Sequence, residues 1–238
     1  MKLLDRTLAL PEHNLACDEA LLDLAEEGLG GELLRFWEPS EHFVVLGISN
    51  KIHSEVKIPS CQTAAVPILR RCSGGGTVLQ GPGCLNFSLI LKITPGPLSN
   101  ITETTAFILQ KHRAVLETVL GQKVQVRGIS DLTLGSLKFS GNAQRRKRHF
   151  ILFHGTFLLH LDLGRVTQFL GMPEREPEYR GNRGHKDFIT NLNIEAEPIK
   201  KILKELWGVT EDLQEIPLEK IEKLVKEKYT DPAWTFKF

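Results

Sequence analysis

The chain contains 238 residues, of which 41% are hydrophobic and 25% are charged, and its formal net charge is +1. This length can bury the core of one large domain, and this composition excludes an intrinsically disordered chain. A net charge so close to zero gives no overall attraction to nucleic acid or to an anionic membrane, so neither is expected as a partner.

The four cysteines are scattered along the chain, at Cys17, Cys61, Cys72 and Cys84. No pair has CxxC spacing, which argues against a zinc site, and four cysteines are too few for a disulfide framework in a chain of this size. Residues 1–10 lack the apolar core of a signal peptide, and no run approaches the ~20 apolar residues of a membrane span. These features predict a cytoplasmic protein.

The N-terminal part of the chain is predicted to form one helix and five strands. The helix opens at Pro11 and Asn14 and ends at Gly28. Its apolar residues recur at helical spacing on one face, and its acidic residues, Asp18 among them, are expected on the other. The strands are expected at residues 2–8, 33–37, 43–46, 66–71 and 85–92.

A second long helix is predicted over residues 102–120, closed by Gly121, and His112 on its apolar stripe is interpreted as a structural histidine. Asp162 is expected to cap a short helix, and residues 172–187 to form a polar loop before two amphipathic C-terminal helices. Further strands are expected from residue 124 and at 132–134, 138–144 and 150–160. Because strands come in runs rather than alternating with helices, we predict an α+β fold with a mixed β-sheet flanked by helices.

The densest functional signal is the segment Arg70-Arg71-Cys72-Ser73-Gly74-Gly75-Gly76-Thr77-Val78. Three adjacent glycines pack poorly inside a strand, but they allow backbone N–H groups to approach a phosphate or an acyl chain. The two arginines beside them can pair bidentately with phosphate. The structural alternative is a glycine-rich β-bulge with exposed arginines. The segment is neither a Walker A loop nor a GxGxxG dinucleotide motif.

Two further segments carry candidate site residues. In the segment 138–144, Lys138 and Ser140 share one face of a predicted strand, and the lysine can hold a carboxylate or phosphate oxygen as negative charge develops. His154-Gly155-Thr156 interrupts an apolar run, which indicates a backbone approached by another group. Taken singly, a solvated edge lysine and a core histidine bonded to backbone are the ordinary alternatives.

Together these segments resemble the lipoate–protein ligase A family, part of the wider biotin/lipoate ligase and octanoyltransferase superfamily. Residues 70–76 resemble the RRxSGGG loop of that family, residues 131–143 its DL…K-x-SG-x-A block, and residues 154–163 its HGTLL…DL block. Residues 14–16 and the stretch from Trp37 to Asn50 match its N-terminal pattern, and residues 180–192 resemble its adenylate-binding loop and the TNL that follows.

The resemblance implies a mixed sheet with helices, shared with biotin ligases and distantly with class II aminoacyl-tRNA synthetases. It implies one catalytic domain over residues 1–238, with 193–238 as its C-terminal helical segment and no separate accessory domain. An accessory subunit is therefore a candidate partner. The implied reaction uses ATP and Mg²⁺ to convert a small acid, lipoate or octanoate, into acyl-AMP and pyrophosphate. The acyl group then passes to a lysine of a lipoyl domain or of the glycine-cleavage carrier protein.

The resemblance also assigns roles to residues of this chain. Lys138 is the implied catalytic residue, bridging carbonyl and phosphate oxygens, and Asp131 is the implied metal ligand. Arg70 is expected to add charge near the phosphates, with a structural role as the alternative for Arg71. The implied acyl- and adenylate-binding residues are Arg70, Arg71, Ser73, Gly74, Gly75, Gly76, Thr77, Asn86, Ser140, Gly141, Ala143, His154, Gly155, Thr156, Arg180 and Gly181.

One stretch departs from the ligase pattern. Residues 80–84 read QGPGC, where the ligases continue with His-Asp-x-Gly-Asn, and they are closer to the HGPGQ segment of octanoyl-carrier-protein transferases. Those transferases use a thioester donor and an active-site cysteine without ATP, so Cys84 is a candidate nucleophile, with a small buried hydrophobe as the alternative. Octanoyl or lipoyl transfer and a non-catalytic carrier-binding subunit therefore stay open beside the ligase.

Two other readings are disfavoured. Biotin is a weaker substrate candidate because the GRGRxGR loop of biotin ligases does not occur. The basic run 145–148 could contact nucleic acid, but with a near-neutral chain and no interleaved aromatic residues it is interpreted as a solvated hairpin turn or an adenylate-facing loop.

Overall fold

The computed structural model describes residues 1–238 and contains eleven strands and nine α-helices. The strands are β1 (Lys2–Asp5), β2 (Leu33–Trp37), β3 (Phe43–Leu46), β4 (Ile68–Arg70), β5 (Val78–Gln80), β6 (Cys84–Lys92), β7 (Val124–Arg127), β8 (Asp131–Leu134), β9 (Leu137–Arg146), β10 (Phe150–Leu158) and β11 (Glu211–Asp212). The helices are α1 (Pro11–Glu26), α2 (Ile52–Glu55), α3 (Ile58–Thr63), α4 (Ile101–Leu120), α5 (Leu163–Phe169), α6 (His185–Phe188), α7 (Ala196–Leu206), α8 (Leu218–Leu224) and α9 (Pro232–Thr235).

The strands form one large and one small sheet. The large sheet has eight strands in the order β11-β1-β2-β6-β10-β9-β8-β7, and the small sheet has the order β4-β3-β5. In the large sheet β1 runs parallel to β2 and β11, whereas the other neighbours are antiparallel. The predicted α+β fold with a mixed sheet flanked by helices is therefore confirmed.

Each face of the large sheet is covered by its own hydrophobic core. Side chains alternate along a strand, so Leu33 and Leu34 enter different cores. Full burial of one such side chain contributes roughly 1.5–3 kcal/mol. One core packs α1 and the C-terminal helical residues against the sheet through Ala20, Leu21, Ile90, Leu152, Ile221 and Tyr229. The other packs α4 and α7 against the opposite face through Leu89, Leu116, Phe153 and Leu203.

A third core lies between the small sheet and the short helices. It contains Val44, Leu46 and Leu79 of the small sheet together with Ile52 and Phe169 of α2 and α5. This packing holds the small sheet and the segment between β4 and β5, which carries the three glycines, beside the large sheet. None of the helices combines the length and the apolar character that a bilayer crossing requires.

Local signals set several element ends. Gly121 closes α4 in the left-handed conformation at φ +61°, and Asp162 caps α5 by accepting a bond from Gly164 N at 2.9 Å. The first strand is shorter than predicted because Leu8 N and Leu8 O bond to the side chain of Asn14 instead of a neighbouring strand. Helices α2 and α3, of four and six residues, are too short for periodicity to predict.

The predicted polar loop at residues 172–187 is partly ordered. It contains a 3₁₀ turn at Glu178–Arg180, and α6 begins at His185. The basic run 145–148 covers the end of β9 and the beginning of the turn to β10. At the end of β9, Arg146 donates to Leu98 O at 2.8 Å, and in the turn Lys147 pairs with Asp23. These contacts fit the interpretation of the run as a hairpin turn.

Candidate active site

A cavity of about 570 Å³ lies between the small sheet and strands β9 and β10 of the large sheet. The glycine segment contributes Gly75 and Gly76 to one wall, and β9 contributes Lys138 and Gly141 to the other. The apolar part of the lining consists of Leu15, Trp37, Val45, Val78, Leu79, Phe87, Ile129, Ala143, Leu158, Leu161, Val166, Leu170, Phe188 and Ile189. The cavity thus combines a surface for an acyl chain with a charged surface.

The glycine turn, defined as residues 73–76, needs glycine at Gly75. This residue has φ +85°, and a Cβ there would lie 2.9 Å from Arg71 Nη2 and 3.4 Å from Ala143 Cβ. A Cβ on Gly74 or Gly76 would meet nothing within 4 Å. The turn therefore packs against β9 at Gly75 and leaves open space beside Gly74 and Gly76.

Arg71 holds the glycine turn together. Its Nη2 donates to Gly74 O at 2.5 Å and to Gly76 O at 2.8 Å, and its Nε donates to Ser73 Oγ at 3.1 Å. Burial lowers the pKa of Arg71 to about 10, so the guanidinium is still charged at neutral pH. Arg71 also lines the cavity, where its charge is available to an anionic group.

Arg70 points away from the cavity. Its buried guanidinium donates to Gly47 O, Asn50 O and Thr235 O at 2.7–3.0 Å, which ties the C-terminal segment to the loop after β3. The expectation that Arg70 adds charge near a bound phosphate is therefore wrong. Successive residues point to opposite sides of an extended chain, and Arg71 takes the side that faces the cavity.

Lys138 forms an ion pair at the cavity wall. Its Nζ lies 2.8 Å from Asp131 Oδ1, and Tyr179 Oη donates to Asp131 Oδ2 at 2.8 Å. Burial, reinforced by the Asp131 charge, raises the pKa of Tyr179 well above its ordinary value, so the phenol stays protonated as a donor. A Cβ on Gly141 would lie 2.8 Å from Lys138 Nζ. The ammonium therefore rests over Gly141, between Asp131 and the open cavity.

A β-bulge determines how β9 presents these residues. Leu132 pairs with Ser140 and Thr133 with Lys138, so Phe139 has no partner on β8 and is buried in the core beside α4. Lys138 and Ser140 both line the cavity, together with Ala143 further along β9.

His154 on β10 connects the sheet to the glycine turn. Its Nε2 lies 2.6 Å from Ser73 Oγ, and its Nδ1 lies 3.5 Å from Asp18 Oδ2. Asp18 also pairs with Arg35 at 2.6 Å. Burial alone would raise the pKa of Asp18, but Arg35 and His154 together hold it below its ordinary value. Asp18 is thus buried in the site and does not lie on a solvated helix face, as its place among acidic residues had suggested.

Three polar side chains form a closed network on the cavity wall. Gln80 Nε2 donates to Thr156 Oγ1 at 2.7 Å, Thr156 Oγ1 donates to Asn86 Oδ1 at 2.5 Å, and Asn86 Nδ2 donates to Gln80 Oε1 at 2.9 Å. Gly155 lies next to this network, and a Cβ there would be 1.9 Å from Asn142 Oδ1. Asn86 and Thr156 were expected at the site, whereas Gln80 was not assigned to it.

The glycine-turn side holds a carboxylate that sequence reasoning missed. Glu55 of α2 is buried in the cavity wall and accepts bonds from Thr77 Oγ1 at 2.5 Å and from Asn50 Nδ2 at 2.8 Å. The motif match at Asn50 was the signal that could have pointed to this region. Thr77 is thereby fixed in the cavity wall beside Gly76.

The 3₁₀ turn between α5 and α6 supplies Arg180 to the cavity lining. Its guanidinium lies 4.6 Å from the centre of the Phe188 ring and pairs with Glu176 at 3.4 Å. Gly181 follows in the left-handed conformation at φ +59° and ends the 3₁₀ turn, so its part is to shape the backbone. Among the expected residues, Arg70, Ser73, Gly74, Cys84 and Gly181 do not line the cavity.

Cys84 cannot serve as a nucleophile in this geometry. Its side chain is fully buried in the third core, and burial raises the pKa of its thiol to about 12. A nucleophilic cysteine needs thiolate character and access to the acyl donor, and Cys84 has neither. The other three cysteines are buried as well, and none of the four lines the cavity.

No group of three His, Cys, Asp or Glu side chains is arranged to hold a metal ion. Asp131, the expected metal ligand, has both oxygens engaged, by Lys138 and by Tyr179. A single carboxylate, Asp131, suffices only for Mg²⁺ that is bound together with a nucleotide, because phosphate oxygens and water then supply most of the ligands.

Two relatives show how far the similarity extends along the chain. Lipoate–protein ligase 1 of Staphylococcus aureus is 29% identical over 237 residues, which cover 95% of this chain and 70% of that protein. The octanoyltransferase LipM of Halalkalibacterium halodurans is 23% identical over 262 residues, covering 95% of each chain.

Two solved structures share the fold. A bi-partite lipoate protein ligase from Thermoplasma acidophilum, described with its E2 lipoyl domain, superposes with a TM-score of 0.83 at 21% identity, over 99% of this chain and 95% of that one. A lipoate-protein ligase A bound with ATP superposes with a TM-score of 0.78 at 22% identity, over 99% and 98% of the two chains. At these identities the likeness concerns the fold.

The family profile of the lipoyl protein ligase A/B catalytic domain matches residues 10–205. This range includes the glycine turn, Lys138 and His154, which line or adjoin one cavity. It also includes Asp18 of α1 and Arg180. The chain belongs to the lipoyl protein ligase A/B catalytic domain family.

Proposed function

We propose that this chain is a lipoate–protein ligase that activates lipoate with ATP and transfers the lipoyl group to a lysine of a lipoyl domain. The main support is the single cavity that Lys138 and the glycine turn both line. Its apolar lining suits an aliphatic acyl chain, and its charged part suits the carboxylate and phosphates that react. The ligase relatives and the ATP-bound structural neighbour support the same assignment.

In the first step, a carboxylate oxygen of lipoate forms a bond to the α-phosphorus of ATP, and the bond to pyrophosphate breaks. Negative charge increases on the phosphate oxygens. The Lys138 ammonium, positioned by Asp131 at 2.8 Å, is placed to stabilise that charge. Arg71 and Arg180 add permanent positive charge to the same cavity.

In the second step, a lysine amine of the acceptor protein forms the amide bond to the acyl carbon, and AMP leaves. Lys138 can stabilise the carbonyl oxygen as it becomes negative. The nucleophile belongs to the acceptor, so this route needs no cysteine of this chain. Asp131 is the residue that would hold Mg²⁺ brought in with ATP, and the ion would supply further positive charge beside the phosphates.

The acceptor and the subunit composition extend this proposal. A lipoyl domain is the favoured acceptor because the Thermoplasma structure is described with one, and the glycine-cleavage carrier protein is the second candidate. That ligase is described as bi-partite, so we propose that a separate accessory subunit assists this chain as well. We further propose one catalytic domain over residues 1–238 and a cytoplasmic location.

A transferase that uses an octanoyl thioester is the second candidate function, and the LipM relative favours it. Its weakness is chemical: a covalent thioester route needs an accessible cysteine, and every cysteine here is buried outside the cavity.

The deciding experiment offers a lipoyl domain two donors: lipoate with ATP and Mg²⁺, and an octanoyl carrier protein without ATP. We expect labelling only with lipoate, ATP and Mg²⁺, complete loss in Lys138→Ala, and activity close to that of the unmodified chain in Cys84→Ala. ATP-independent labelling that Cys84→Ala abolishes would replace the ligase by the transferase. An inactive chain, with and without the accessory subunit, would favour a non-catalytic carrier-binding protein.

A further inference from the structure

Buried polar contacts connect α1, β10 and the glycine turn. Asp18 of α1 lies 3.5 Å from His154 Nδ1, and His154 Nε2 lies 2.6 Å from Ser73 Oγ. Arg71 Nε donates to Ser73 Oγ at 3.1 Å, and Arg71 Nη2 donates to carbonyls on both sides of Gly75. A path of polar contacts therefore runs from a buried aspartate to the backbone of the turn.

Charge determines the direction of the donors along this path. Asp18 is an ionised acceptor, because Arg35 donates to it at 2.6 Å and Ser88 at 2.8 Å. The imidazole nitrogen that faces Asp18 must then carry the proton. With the proton on Nδ1, Nε2 is an acceptor for the Ser73 hydroxyl, whose oxygen in turn accepts from Arg71. Each group then has a partner, and polar networks of this kind fix geometry.

The same three residue types form the catalytic triad of hydrolases, but here the serine is in the wrong place for nucleophilic attack. Ser73 is fully buried and does not line the cavity, whereas His154 and Asp18 do. Because the Ser73 side chain is buried outside the cavity lining, an acyl group in the cavity cannot reach the Ser73 oxygen. The trio therefore acts on the position of the turn and forms no covalent intermediate.

We propose that Asp18 and Ser73 are positioning residues that act through His154 and Arg71 to hold the glycine turn opposite Lys138. The proposal rests on the proposed function, because the geometry it maintains is that of the acyl-activating cavity. It assigns a role in the site to an α1 residue that neither the glycine motif nor the lysine motif contains.

The first test does not depend on activity. Imidazole ¹⁵N NMR of the full chain reports which nitrogen of His154 is protonated. We expect a single tautomer with the proton on Nδ1, the opposite of the form that a free histidine side chain favours. Ser73→Ala should shift the Nε2 resonance and leave that of Nδ1 nearly unchanged. A ring protonated on Nε2, or one unaffected by Ser73→Ala, would overturn the proposal.

The second test uses the kinetics of lipoyl transfer. Ser73→Ala should lower kcat about tenfold, which corresponds to about 1.4 kcal/mol of activation free energy. The KM for lipoate should change less than twofold, because Ser73 does not line the cavity. The kcat of the double variant Asp18→Asn/Ser73→Ala should equal that of the less active of the two single variants, since both changes break the same path. Additive losses would show two independent structural effects and contradict the proposal.

Trp207→Phe is the matched control. It removes a hydrogen bond of 2.9 Å to His112, a buried histidine of α4, and neither Trp207 nor His112 lines the cavity. Its kcat should equal that of the unmodified chain. If the unmodified chain transfers no lipoyl group, the proposed function fails while the NMR result still decides the tautomer. If that chain is active and Ser73→Ala matches it in kcat and spectrum, only the positioning role fails.

Discussion

Substituting alanine for Gly141 separates the position of the Lys138 ammonium from the stability of the fold. The new Cβ would lie 2.8 Å from both Cε and Nζ of Lys138, and its next neighbour, Asp131 Oδ1, is 3.8 Å away. The clash therefore falls on the flexible end of one side chain. To reach ordinary contact at 3.4 Å, the ammonium must move by about 0.6 Å. A displacement of this order, at a group that stabilises developing charge, is expected to lower kcat roughly 10–100-fold.

The assay measures lipoyl transfer at saturating lipoate and ATP, together with thermal unfolding. We expect Gly141→Ala to lose activity while its melting temperature stays within about 3 °C of that of the unmodified chain. A substitution that only displaces a flexible side chain changes the free energy of unfolding by ~0.5 kcal/mol, which shifts Tm by less than about 3 °C. Gly31→Ala is the matched control, because a Cβ there meets nothing within 4 Å. Full activity in Gly141→Ala would show that this position of the ammonium does not matter and would contradict the role of Lys138 in stabilising the developing charge.

Three further outcomes follow from buried groups. Burial lowers the pKa of His112 from 6.5 to about 3, so the folded state resists a proton that the unfolded chain accepts. Stability should therefore be unaffected above pH 6.5 and fall by about 2 kcal/mol between pH 6 and pH 4.5. In urea titrations His112→Gln should remove most of this slope, and an unchanged slope would assign it to other groups. Gly155→Ala places a Cβ 1.9 Å from Asn142 Oδ1 and 2.9 Å from Phe87 Cε1, and should lower the free energy of unfolding by about 1–3 kcal/mol. Adding Asn142→Ala should recover part of that loss, which a merely local backbone effect would not allow. The four cysteines are buried, so a thiol reagent at pH 8 should label them only upon unfolding; rapid labelling of the native chain would contradict the burial of Cys84.

Much of the architecture follows from local sequence signals. The apolar run of β6, the Asp162 cap and the Gly121 stop depend on neighbours within a few residues, so their elements were predicted to within a residue or two. The glycine turn and the lysine strand were identifiable because their residues conflict with ordinary strand packing. Such conflicts indicate ligand sites when a fold brings them together.

The residues that sequence reasoning misplaced depend on packing between distant elements. Arg70 and Arg71 are equivalent in sequence, and only the orientation of the small sheet decides which of them faces the cavity. Asp18 was predicted on an acidic helix face, but it is buried because it pairs with Arg35 of β2, the strand that follows α1. Glu55 lies in a helix of four residues that no periodicity reveals. Cys84 sits on the predicted segment, but the third core encloses its sulfur.

The core beside α1 has a consequence for how the chain acquires its structure. Ala16, Ala20 and Leu21 from the first helix share this core with Ile221, Val225 and Tyr229. These partners are separated by about two hundred positions, and contacts of such long range form late and slowly. During synthesis the part of the apolar face of α1 that contacts Ile221, Val225 and Tyr229 therefore stays uncovered until almost the whole polypeptide has left the ribosome, whereas the partners of Asp18 are synthesised earlier. A chain interrupted before Ile221 exposes that apolar face and is prone to aggregate, so full-length synthesis is itself a condition for a competent site.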